Sequence, residues 1–199
     1  MKPEAVRRSG PKFRAFRAWT LDGYRLRSAN PAGGYWTAGT NHAECRRSEY
    51  DRLTPLGHNK PPATVRPSHD APHPRCRCGL YAWHEPHELT RFGGAGELVH
   101  GVVLMWGRIE VHGEGLRSEY AEPVLLAYGD EQTHKHVRRV QAIASELGLP
   151  AVELDDLEEA AKAFGEPVPE ELRPHRTRPL EGDPRWVAPL AAGGLLLAT

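Results

Sequence analysis

The chain has 199 residues, 39% of them hydrophobic, and a mean hydropathy of −0.58, which allows one real core and a small second unit but is polar for a globular domain. Its 18 prolines and 20 glycines predict much irregular structure, and no stretch reaches the roughly 18 apolar residues of a membrane span; residues 189–199 are apolar but short, and include Gly193 and Gly194. Net charge is zero, yet residues 1–78 carry 15 Lys/Arg against 6 Asp/Glu and residues 79–199 carry 11 against 20, a split that suits a basic face for an anionic partner or two lobes that attract each other.

Residues 1–12 read as a disordered basic N-terminus without the apolar core of a secretory signal. Phe16 to Leu21, Asp22-Gly23 and Tyr24 to Arg27 then give a two-residue hairpin signal. With Asp22-Gly23 as the loop, Leu21 opposes Tyr24 and Trp19 opposes Leu26 on an apolar face, while Thr20, Arg25 and Arg27 occupy the other. Asn30 to Gly39 reads as a turn-rich loop carrying Tyr35 and Trp36, and Asn41 to Leu53 as polar chain able to hold a short helix. Six prolines between Thr54 and Pro74 forbid long regular elements there. So long a loop needs something to pin it.

Leu80 to Trp83 reads as a short strand. Leu98 to Val111 is apolar almost throughout and rich in β-branched residues, as in a central strand buried on both sides. His112 to Gly115 turns the chain, and Arg117 to Leu126 returns beside it, with Pro123 implying an edge or a bend. Thr133 is placed to cap a helix running to Leu147, with Val137, Val140, Ile143, Ala144 and Leu147 on one stripe and Gly148 and Pro150 ending it. Its first turns hold His134, Lys135, His136, Arg138 and Arg139, cations that oppose the helix dipole. A brief strand over Val152 to Leu154 and a second helix from Asp155 or Asp156 through Phe164 follow. The expectation is an α+β protein: a mostly antiparallel β domain with a zinc-pinned, proline-rich loop over 13–128, a small two-helix extension over 129–165, and a proline-rich extended tail over 166–199.

The chemistry concentrates in three cysteines. Cys76 and Cys78 form Cys-Arg-Cys-Gly, and Cys45 stands upstream. An odd cysteine count without a secretory signal points to a reducing, cytoplasmic setting, where clustered cysteines hold metal more often than disulfides. Three thiolates and one imidazole make a Cys3His set, which closes a tetrahedral structural zinc site. The spacing leaves the histidine open: His69 and His73 lie nearest the cysteine pair, and His58, His42 and His84 further off. Extended backbone would point Cys76 and Cys78 to opposite sides, so a turn is required, which Gly79 helps to make. His84-Glu85-Pro86-His87-Glu88 is no metalloprotease helix, because its histidines are three apart and a proline intervenes.

The chain resembles a bacterial protein family, found mainly in actinobacteria and their mobile elements, whose activity is uncharacterised. The residues carrying the resemblance span about 13–127. They are Phe16-Arg17-Ala18-Trp19; Trp36-Thr37-Ala38-Gly39 leading to Ala43 and Cys45; His69-Asp70-Ala71-Pro72; Cys76-Arg77-Cys78-Gly79-Leu80-Tyr81-Ala82; and Gly101 to Gly107 followed by His112, Gly115, Leu116, Arg117, Glu119, Ala121 and Pro123. The resemblance implies that Cys45, His69, Cys76 and Cys78 belong together, with His69 as the fourth ligand.

These features point to a non-enzymatic, zinc-stabilised binding module contacting nucleic acid or a protein complex, without a membrane. Arg14, Arg17, Arg25 and Arg27, interleaved with Phe13, Phe16, Trp19 and Tyr24, are the candidate nucleic-acid contacts. Two other readings are compatible with the sequence. One is an enzyme, either a Cys/His hydrolase or transferase or a site around His112, Arg117 and Glu119, with histidine as base and arginine as anion clamp. The other is a subunit of a larger assembly that docks through its C-terminal tail.

Overall fold

The computed structural model describes residues 10–29, 34–45, 69–74, 76–91, 98–129 and 133–174. Of the N-terminus expected to be disordered over 1–12, the proline-rich stretch from Thr54 to Pro74 and the tail over 166–199, residues 1–9, 54–68 and 175–199 lie outside the described residues; within the described parts Lys12 pairs with Glu122 at 3.1 Å, and Glu166 and Pro167 pair with Phe13 and Arg14. The α+β expectation holds. Strands β1 (Phe13–Asp22), β2 (Arg25–Ser28), β3 (Tyr35–Trp36), β4 (Asn41–His42), β5 (Leu80–Trp83), β6 (Leu98–Val111) and β7 (Gly115–Tyr128) are followed by helix α1 (His134–Leu147), strand β8 (Ala151–Glu153), helix α2 (Leu157–Ala161) and strand β9 (Glu166–Pro167). Among the described residues, no helix is long and apolar enough to cross a membrane.

The two 14-residue strands β6 and β7 form the central hairpin. β1 runs antiparallel to β6 along Phe13–Thr20, β5 pairs with β7 and touches β1 at Phe16 and Trp83, and so the ladder β1-β6-β7-β5 closes on itself. Such curvature needs irregular registers. Two occur on the β6–β7 hairpin, at Val102/Val103 and Trp106/Ile109. The first explains Pro123. β7 is an interior strand, paired with β6, β4, β5 and β8. The proline sits where the register shifts, so the bend expected from it is present and the edge is not.

Alternation along β1 and β6 builds two cores. Ala15, Trp19, Val103 and Met105 face Val140, Ile143 and Ala144 of α1. Phe16, Ala18 and Val102 face Leu89, Leu157 and Ala161, the last two from α2. Consecutive Val102 and Val103 are each fully buried on opposite faces, which is why β6 reads as continuously apolar. Helix α1 starts where expected: the Thr133 hydroxyl accepts from the His136 amide at 3.3 Å, and Gly148 closes it. The second helix is shorter than expected. A 3₁₀ turn occupies Leu154–Asp156, and the α-helical part ends at Ala161.

The first hairpin forms with a different register. Gly23 and Tyr24 make the turn, Asp22 opposes Arg25, and Leu21 opposes Leu26. Gly23 takes φ +62° while, among the described residues, no non-glycine residue has positive φ, the pattern of a II′ turn with glycine first. Tyr24 therefore projects from the turn, 62% exposed, instead of joining the core. Tyr35 and Trp36, expected in loop, form β3 because Trp36 packs edge-on to Trp19 at 5.6 Å.

Candidate metal centre

Four ligand atoms converge from two parts of the chain, Cys45 and the stretch from His69 to Cys78. One atom each from Cys45, His69, Cys76 and Cys78 lies within 4.8 Å of all the others, so the group is able to hold a metal ion. Cys45 Sγ is 3.7 Å from Cys76 Sγ, and His69 Nε2 is 3.2 Å from Cys78 Sγ. All three thiols are free of disulfide. Two sulfurs at a metal–sulfur bond of about 2.3 Å and a tetrahedral angle stand about 3.8 Å apart, and a sulfur and an imidazole nitrogen about 3.5 Å apart. The observed spacings are close to those edges. Burial, and after it the neighbouring Cys76 sulfur, push the Cys78 thiol up to about 12. A divalent cation among the sulfurs reverses that preference, since a coordinated thiol is deprotonated.

Cys45 is delivered by β4. Asn41 and His42 pair with Ala121 and Tyr120 of β7, and the Ala43 amide donates to the Glu119 carbonyl at 2.7 Å. The His42 ring stacks on Tyr120 at 5.0 Å, and Tyr120 stacks on Trp106 at 5.9 Å. This ladder of rings fixes the strand at His42, three residues before the ligand Cys45.

The other three ligands ride on one short loop, and two arginines of the sheet hold its backbone. Arg117 on β7 is 5% exposed. Its guanidinium donates to the carbonyl oxygens of Cys76, of Cys78 at 3.0 Å and of His73 at 3.2 Å. Arg108, at the second register shift of β6, donates to the carbonyls of Asp70 at 3.3 Å and Pro72 at 3.4 Å. The Cys76 amide donates to the His73 carbonyl at 2.8 Å, closing a turn that leads into the Cys-x-Cys pair. Gly79 completes it with φ +134°, and a Cβ there would stand 3.2 Å from Arg117 Cβ and 3.3 Å from Pro72 Cβ. Only glycine allows that backbone to lie against the arginine stem.

Of the alternative polar site, the His112 pKa is lowered by burial and by the charge of Arg117, while the ion-pair partner of Arg117 is Glu110. Arg117 pairs with Glu110, its neighbour across the β6–β7 ladder, through both Nε (2.9 Å) and the terminal nitrogen. Glu119, two residues along the same strand as Arg117 and on the same face, instead accepts from the Arg108 amide at 3.1 Å. His112 sits at the turn, where its amide donates to the Gly115 carbonyl at 2.7 Å. His84, a distant candidate for the fourth ligand, is 5% exposed, and its Nε2–H donates to the His112 carbonyl at 2.9 Å.

The four arginines proposed from the sequence separate into two kinds. Arg17 is a core residue, 8% exposed. It donates to the Tyr81 carbonyl and to Ser28 Oγ at 2.9 Å, and its guanidinium lies 4.3 Å from the Trp36 ring centre. Burial lowers it to about 9. Arg14 donates to the carbonyls of Ala161 (3.0 Å) and Gly165 (3.3 Å), tying β1 to α2. Arg25 is exposed and lies 3.7 Å over the Tyr35 ring, and Arg27 is half-buried.

What the sequence reading missed is the clamp. Arg117 was read toward Glu119, and nothing marked the carbonyls of residues 73, 76 and 78 as its acceptors, because a guanidinium's backbone partners leave no pattern in side-chain identity. No protein-family model matches the chain, and no curated protein or solved structure matches it.

Proposed function

We propose that the chain is a non-enzymatic binding module whose cysteine loop is set by a structural zinc ion, and that it works by contact with nucleic acid. The observation carrying this reading is the convergence of Cys45, His69, Cys76 and Cys78 within 4.8 Å. Three sulfurs and one imidazole suit zinc over magnesium or calcium, which take oxygen ligands. Four protein donors complete a tetrahedron and leave no position for substrate or water, the mark of structural rather than catalytic zinc. Three thiolates around a dication leave one net negative charge, and the buried Arg117 guanidinium beside the Cys76 and Cys78 carbonyls offsets it. Exposed cations in the basic N-terminal part, Arg25 among them, support the nucleic-acid partner.

The experiment is elemental analysis of purified protein beside a Cys45→Ser variant, followed by titration with nucleic acid at two salt concentrations. The reading expects one zinc per chain, lost or weakened in the variant, and binding that falls as salt rises. Metal-free protein removes the zinc reading. Binding that is absent, or indifferent to salt, removes the nucleic-acid reading.

A further inference from the structure

We infer that the tip of the β1–β2 hairpin is a docking point for single-stranded nucleic acid, with Tyr24 and the Arg25–Tyr35 pair as stacking surfaces and Arg25 and Arg139 as phosphate contacts. This rests on the nucleic-acid reading of the module and gives it a place.

The tip gathers aromatic rings and cations that the core does not use. Tyr24 occupies the second position of the two-residue turn and is 62% exposed; Tyr35 on the neighbouring strand is 43% exposed. The fold gains little burial from either ring. Arg25 lies 3.7 Å over the Tyr35 ring centre, and the Tyr35 hydroxyl donates to Asp22. That bond holds the ring in place and occupies the one carboxylate in the hairpin tip. Unpaired bases stack on aromatic rings and on arginine planes alike.

Helix α1 adds positive charge from the other side. Arg139 donates to the Gly23 carbonyl at 2.6 Å, which fixes its guanidinium beside the turn. Lys135, one helical turn earlier, and Arg138 are both exposed. The basic start of α1, which its own dipole disfavours, thereby acquires a use. An acidic peptide would satisfy the cations and leave the rings idle. A duplex hides the base faces that the rings would cover. A single strand engages both, as stacking surfaces set in a positive groove do elsewhere.

The test is fluorescence anisotropy of the full chain with labelled oligothymidylate of about 20 nucleotides, at about 50 and 200 mM salt, with unlabelled duplex as competitor. Tyr24→Ala changes an exposed turn residue and is expected to weaken binding on the order of 10-fold. Arg25→Ala and Arg139→Ala are each expected to reduce the salt slope by about 0.7, one phosphate contact. Lys162→Ala, whose partner is Glu159 on α2, is the control and leaves affinity unchanged. Circular dichroism and metal content, unchanged throughout, show that the variants fold. If the parent binds and all three tip variants bind as well as the parent, the tip is overturned while the module reading stands. If duplex competes as well as single strand, the single-strand assignment is overturned. If the parent binds neither, the nucleic-acid reading itself fails.

Discussion

Arg117 donates to the backbone carbonyl of Cys78 at 3.0 Å, so a strand of the central hairpin holds the loop that carries three of the four candidate metal ligands. Its cross-strand neighbours are Tyr81 on β5 and Glu110 on β6, and Glu110 takes the salt bridge. The arginine thus joins three strands and the cysteine loop through one buried group.

Removing that group should be costly. Arg117→Met leaves the largely buried Glu110 without its counter-charge and takes the guanidinium donor away from the carbonyls of Cys76 and Cys78, while the His73 carbonyl keeps the Cys76 amide. The expected loss is about 3–5 kcal/mol, read from urea denaturation. Adding Glu110→Gln should recover part of it by removing the orphaned charge. A loss under about 1 kcal/mol would mean that the clamp is incidental.

Gly79→Ala tests the backbone of the loop. The positive φ and the contacts at 3.2–3.3 Å with Arg117 and Pro72 together predict destabilisation of about 1–3 kcal/mol, with weaker metal retention in a chelator competition. Unchanged metal affinity would separate the glycine from the site.

The hairpin shows why some of the fold was legible and some was not. Both registers, turn at 22–23 or at 23–24, keep Trp19, Leu21 and Leu26 on one face, because the slip displaces partners by two residues and preserves alternation. Hydrophobic pattern cannot choose between them; the backbone of Gly23 does. Arg17 shares the phase of Ala15 and Trp19, but both faces of β1 are buried, so phase alone does not separate it from an exposed cation; its partners Tyr81 and Ser28 do. β5, α1 and the convergence of the cysteines followed from strand propensity, capping residues and ligand chemistry, all of which are local. The Arg117 and Arg108 clamps were not legible, because they join side chains to backbone carbonyls more than 30 residues away.

Chelating the metal should loosen the loop without melting the sheet. Both buried clusters are built mainly from β1, β6, β7 and the helices, with Leu26, Trp36 and Ala82 from β2, β3 and β5, and none of the cysteines belongs to them. With a strong chelator, amide exchange in residues 69–78 is expected to accelerate while β6 and β7 stay protected, with little change in far-ultraviolet circular dichroism. Cooperative unfolding on chelation would show instead that the metal holds the whole fold.

Acid should destabilise the protein through its buried histidines. Burial lowers His84 and His100 below the ordinary histidine value, so the unfolded chain takes up protons first as pH falls. Their contribution is complete above about pH 6.5 and is lost as pH drops from there through the folded values, at up to about 1.4 kcal/mol per pH unit per histidine. Urea midpoints at pH 7.5 and 5 should fall less steeply for His100→Gln than for the parent. Equal falls would assign the acid sensitivity elsewhere.

The most direct measurement is X-ray absorption at the zinc edge of the purified protein. Three sulfurs at about 2.3 Å and one nitrogen at about 2.0–2.1 Å are expected, with one sulfur fewer in Cys45→Ser. A shell of oxygen and nitrogen alone, or protein carrying no metal, would contradict the convergence of Cys45, His69, Cys76 and Cys78 on a single ion.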